Sequence, residues 1–160
     1  MLLGPGALPS GGPRVISFNL DYTLMYIGTY LGSQGRIYTM PLDAQLDPMG
    51  PPVEFVSGVG DGQYHDTAGV DICGYLWVAN FWDRTLYRIS PGGDVLSYWT
   101  APGSTFASDY GHGMKWGTGT NGWDEFKIYM PQPYRNHEVI EVDLGVPSRD
   151  WTGGYAINLP

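Results

Sequence analysis

The sequence predicts an all-β chain, and three observations carry that expectation. The segments Met25-Tyr26-Ile27-Gly28, Leu76-Trp77-Val78-Ala79 and Ile128-Tyr129-Met130-Pro131 are versions of one apolar strand, spaced 51 and 52 positions apart. Each is followed by a second short strand, at Arg36–Met40, Arg84–Ile89 and His137–Val142. No window of a dozen residues shows the 3.6-residue apolar period of a helix. A repeat of about 40–50 residues made only of strands and turns is the signature of β-propeller blades. Three such blades, at about 14–62, 63–107 and 108–160, are fewer than the roughly four to eight that close a propeller. The expectation is therefore a partial propeller preceded by a flexible arm over residues 1–13.

The elements follow in order. Blade one opens at Val15–Phe18, turns at Asn19-Leu20-Asp21-Tyr22, and continues through Leu24–Tyr30, Arg36–Met40 and Val53–Ser57. The Pro-rich link from Leu46 to Pro52 cannot be a central strand, because proline donates no ladder hydrogen bond. Blade two runs Thr67–Ile72, Tyr75–Phe81, Thr85–Ser90 and Val95–Thr100. Its turns fall at Cys73-Gly74, Trp82-Asp83-Arg84 and Pro91-Gly92-Gly93-Asp94, the last a strong hairpin signal. Blade three is assigned to Gly113–Gly117, Phe126–Met130, Glu138–Leu144 and Tyr155–Leu159. Asn121-Gly122 supplies left-handed dihedrals for its first turn. The aromatic at each repeated strand position is expected to pack between blades, because stacked sheets need large flat side chains there.

Composition agrees with a turn-rich, packed β protein. The chain has 24 Gly, 13 Pro, six Trp, twelve Tyr and five Phe in 160 residues, with 15% charged residues. A disordered chain would lack the aromatics. The net charge of −8 argues against nucleic acid, whose phosphates need a basic face. No stretch reaches the roughly 18–20 apolar residues of a membrane helix. The Gly/Pro-rich start has no signal-peptide pattern and reads as a linker from a longer parent chain. Cys73 cannot form an internal disulfide, and its apolar neighbours suggest a buried structural thiol. Asp21, Asp71 and Asp94 sit beside turns and are expected to bond their own backbone. The Gly-rich runs at 58–62 and 111–113 precede no helix, so they lack the context of a phosphate cradle.

The run His65–Asn80, with Thr85-Leu86-Tyr87-Arg88-Ile89-Ser90-Pro91-Gly92-Gly93, resembles a blade of the regucalcin/gluconolactonase/strictosidine-synthase-like propellers. NHL-repeat propellers share this strand grammar. Met114-Lys115-Trp116-Gly117, Gly122-Trp123 and Asp143–Pro147 resemble the closing portion of secreted bacterial members. An extracytoplasmic location, periplasmic or secreted, is what this resemblance implies. It also implies a divalent cation, Ca²⁺ or another, held by Glu, Asn and Asp at the starts of innermost strands. Asp66 falls on the Asp position. The Asn position falls on Arg14, which has no lone pair to offer a metal. The third ligand would come from a blade outside this chain.

Arg14, His65, Asp66 and His112 would gather at one mouth of the channel. One reading is functional, with Asp66 as metal ligand and His65 or His112 as proton carrier. The other is structural: strand-start Asp and His capping turns and tying blades, and Asp66 paired with Arg14. Two functions follow. The first is a non-catalytic binding or assembly module, because three blades leave two sheet faces for another polypeptide, a copy or the rest of a propeller, to cover. The alternative is part of a metal-dependent gluconolactonase-like hydrolase acting on sugar lactones or related esters. No cofactor is certain on either reading.

Overall fold

The computed structural model describes residues 8, 12–30, 35–60, 65–101, 113–131 and 139–150. Among these there is no helix. Eleven strands form three antiparallel sheets. The first contains β1 (Gly12–Phe18), β2 (Leu24–Tyr30), β3 (Ile37–Pro41) and β4 (Val53–Val56), in that order. The second contains β5 (His65–Val70), β6 (Leu76–Asn80), β7 (Thr85–Ile89) and β8 (Val95–Thr100), again in chain order. The third contains β9 (Lys115–Trp116), β10 (Lys127–Pro131) and β11 (Val139–Asp143). Up-and-down sheets of this kind are the blades of a propeller. The expected strand at Tyr155–Leu159 lies outside the described residues.

The turns form where the sequence places them. Gly93 (φ 94°) lets the backbone reverse between Ser90 and Asp94, which pair at 2.9 Å. Asn121 (φ 54°) and Gly122 (φ 84°) turn the chain into blade three's second strand. Side-chain carboxylates tie the ends. Asp21 accepts from the Thr23 hydroxyl and N–H, which hold its carboxyl below the ordinary 3.8. Asp71 is fully buried: Oδ1 accepts from the N–H groups of Cys73 and Tyr75, and Oδ2 accepts from the Trp77 indole at 2.9 Å. Asp94 accepts from the Ser90 hydroxyl. Cys73 itself is exposed, not the buried thiol its neighbours suggested. It sits in the turn that Asp71 organises, so its apolar flanks do not reach the core.

Blade two is packed on both sides, which is why all five residues of β6 are buried. Leu76, Val78 and Ile89 meet Tyr26, Ile37, Val56 and Val59 of blade one. Trp77, Ala79 and Leu86 meet Ile128, Met130 and Val142 of blade three. Each buried aliphatic side chain contributes about 1.5–3 kcal/mol. Tyr26 and Trp77 therefore fill the interface with the following blade, as the repeat implied.

The two outer faces are not the bare apolar surfaces expected. On blade one, Ile27, Tyr38 and Met40 are buried in a cluster with Leu8. On blade three, the outward side chains of β10 and β11 include Lys127 and Glu141, an ion pair at 2.6 Å, and Asp143. Tyr129, the third copy of the repeated aromatic, lies edge-on to Trp123 with centroids 4.6 Å apart. Its hydroxyl accepts the Asp124 N–H. Nearby Trp123 and Val139 stay 45% and 55% exposed.

After β11 the chain leaves blade three and crosses the ends of the other two blades. The carbonyl of Val146 accepts the Trp116 indole N–H, and that of Pro147 accepts the Ile72 N–H. Arg149 N–H bonds to Val70, and Ser148 bridges Asp71. The Arg149 guanidinium then reaches the carbonyls of Phe18 and Asn19 at 2.6 and 3.2 Å and lies over the Tyr22 ring. This strap, residues 144–150, joins all three blades at one end.

Candidate active site

The innermost strands β1 and β5 lie side by side. Each carries a β-bulge at an equivalent place. In β1 the register jumps between Pro13 and Val15, so Arg14 sits at the bulge. In β5 it jumps between His65 and Thr67, so Asp66 sits at the bulge. Bulges re-aim side chains. Here they turn Arg14 and Asp66 toward each other across the blade boundary.

The result is a charge-assisted pair. Arg14 Nε donates to Asp66 Oδ1 at 2.8 Å, and Nη2 donates to the same oxygen. The Asp66 carboxylate is only 3% exposed, whereas the Arg14 guanidinium is 35% exposed and faces Tyr30 at 5.1 Å. A nearly buried carboxylate requires a counter-charge, and Arg14 supplies one that is always protonated.

His65 is next in sequence to Asp66 but points into the protein. Its ring is 1% exposed. Nδ1 accepts the Thr29 backbone N–H at 3.1 Å, so Nε2 must carry the proton, and it donates to the Val59 carbonyl at 2.9 Å. Burial pushes its pKa below the ordinary 6.5, and the Val59 bond opposes this only in part. The ring fits because position 28 is glycine. A Cβ there would lie 2.5 Å from Val15 Cγ1 and 3.1 Å from His65 Cβ. His65 thus clamps β2 of blade one to the link that enters blade two.

Of the four sequence candidates, Arg14 and Asp66 meet, and His65 faces the interior with both ring nitrogens engaged by backbone. His112 lies outside the described residues. These residues do not fit a divalent cation. A hard cation such as Ca²⁺ needs several oxygen ligands. Arg14 instead places a permanent positive charge against the Asp66 carboxylate. Among the described residues, no three His, Cys, Asp or Glu side chains gather in a way that could hold a metal.

What sequence reasoning missed is the pair of bulges. A signal existed: Arg14 and Asp66 are 52 positions apart, the period of the repeat itself.

No protein-family model and no curated protein sequence matches the chain. Solved structures do match, and they are β-propellers. A calcium-binding regucalcin from Agrobacterium tumefaciens superposes with a TM-score of 0.61 at 19% identity, over 86% of this chain and 46% of the other. A gluconolactonase from Xanthomonas campestris gives 0.56 at 18%, over 77% and 35%. A luciferin-regenerating enzyme gives 0.62 at 17%, over 85% and 46%. The chain has the fold of these proteins and spans less than half of the length of each. No helix among the described residues is long and apolar enough to cross a membrane.

Proposed function

We propose that this chain is part of a gluconolactonase-like hydrolase acting on sugar lactones or related esters. The observation that supports this reading best is the shared fold with a gluconolactonase and a luciferin-regenerating enzyme over most of this chain. Fold alone does not carry chemistry, so the site must. On this reading the Arg14–Asp66 pair lies where a ring substrate would enter. Asp66 and the Tyr30 ring fix the guanidinium in place. A fixed, partly exposed cation stabilises the oxyanion that forms when water adds to a lactone carbonyl. No step is assigned to a metal, because Arg14 and Asp66 do not suit one.

The test is hydrolysis of D-glucono-δ-lactone by the purified chain, followed by proton release. Turnover above the spontaneous rate, insensitive to chelator and reduced by about 10²–10³-fold in Arg14→Ala, is expected for loss of one oxyanion-stabilising group. Turnover equal to buffer overturns the reading.

The second reading is a non-catalytic binding module completed by another chain or a second copy. One observation favours it: Trp123 and Val139 remain exposed on the outward side of blade three. The sealed outer face of blade one stands against it.

A further inference from the structure

The turn that leads into β10 is built on Asn121 and Gly122, both in left-handed conformations with φ of 54° and 84°. Every residue from Thr118 to Trp123 is exposed. We infer that Asn121 is a site of spontaneous covalent modification. Its side-chain amide is lost by cyclisation onto Gly122, which leaves aspartate and isoaspartate in the main chain.

The step needs only water. The Gly122 backbone nitrogen adds to Asn121 Cγ, so the bond that forms is N–Cγ. The bond that breaks is Cγ–Nδ2, and ammonia leaves with the proton from the Gly122 nitrogen. Water then opens the five-membered imide at either carbonyl. One opening gives aspartate, and the other gives isoaspartate, whose main chain runs through the side-chain carbon.

Three observations single out this asparagine. The first is its neighbour. Glycine has no Cβ to shield the attacking nitrogen, and a Cβ built at Gly122 would meet nothing within 4 Å. Asn19 and Asn80 precede the bulky Leu20 and Phe81 instead. The second is the state of the amide. The Asn19 side chain donates to the Thr23 hydroxyl and accepts the Leu24 N–H. That of Asn80 donates to the Val59 carbonyl and accepts the N–H groups of Trp82 and Asp83. The Asn121 side chain makes no hydrogen bond among the described residues. The third is the ease of opening, which cyclisation requires. The turn is closed by Trp123 N–H to the Thr120 carbonyl at 3.0 Å and Gly119 N–H to the Trp123 carbonyl at 2.7 Å. Both bonds lie in the exposed run, and β9 before it is two residues long. Segments held by solvent-exposed backbone bonds open at little cost.

Either product changes blade three. Both add a negative charge to a turn that continues into Asp124 and Glu125. Isoaspartate also inserts a carbon between Thr120 and Trp123, which breaks the geometry of their bond.

The test is peptide mapping of the purified folded chain, sampled over time in warm, mildly alkaline buffer. Asn121 should convert at least tenfold faster than Asn19 or Asn80, with both aspartate and isoaspartate peptides formed. Gly122→Ala, whose Cβ enters open space, and Asn121→Gln should each slow loss of the amide at position 121 at least tenfold. The folded chain should react within tenfold of the rate in guanidinium. Three outcomes overturn the inference. Asn121 could stay intact in the folded chain and convert only in guanidinium, so that the turn protects it. Aspartate could form without isoaspartate, which would exclude the imide. Gly122→Ala could react at the original rate.

Discussion

At the scale of single residues, His65 makes the protein's stability depend on pH. Its folded pKa is lowered by burial, so the unfolded chain takes up the proton first. The stability it contributes is therefore full above about pH 6.5 and declines as the pH falls below that value. His65→Gln should cost about 1–3 kcal/mol at pH 7.5, the cost of orphaning a buried hydrogen-bonding group. It should also flatten the loss of stability between pH 7 and 5. Urea unfolding of both proteins across that range measures this, and identical slopes would refute it. The sequence showed His65, Asp66 and Arg14 near strand starts. It could not show which way each side chain turns, because a bulge reverses the alternation that a strand pattern relies on. Hence Asp66 joins Arg14 while His65, one residue earlier, is buried between blades.

At the scale of the element, the β5–β6 turn and the β7–β8 hairpin look alike in sequence and differ in depth. Asp71 satisfies two backbone N–H groups and the Trp77 indole from a fully buried position, while Asp94 bonds Ser90 in solvent. Asp71→Ala should destabilise the protein by about 3 kcal/mol or more, since several buried donors lose their acceptor at about 1–3 kcal/mol each. Asp94→Ala should cost under about 1 kcal/mol, the usual range for an exposed turn. Thermal and urea denaturation compare them directly, and equal losses would contradict the account. Strand identity in blade two was fully legible, because apolar runs and turn residues alternate cleanly from Leu76 to Thr100. Blade three was less so. Its first strand spans only Lys115–Trp116, since Gly113 (φ 87°) and Gly119 (φ 71°) bend the chain on either side.

At the scale of the whole molecule, the sequence showed repetition but not termination. Repeat logic demanded partners for both outer sheets. The structure instead buries Ile27, Tyr38 and Met40 with Leu8 and places the Lys127–Glu141 pair on the opposite end. Nothing in the period of the repeat distinguishes a covered face from a charged one. Light scattering on the isolated chain at tens of micromolar should accordingly give the monomer mass. A stable dimer would favour completion by a second copy and would mean that Trp123 and Val139 form a contact.

The strap has a consequence for how the protein is made. Arg149 bonds Phe18 across 131 positions, a contact that ties β1 to the strap. Such distant pairings form slowly, because the loop entropy is spent before the contact rewards it. The tie between β1 and the strap is therefore expected to form late as the chain folds.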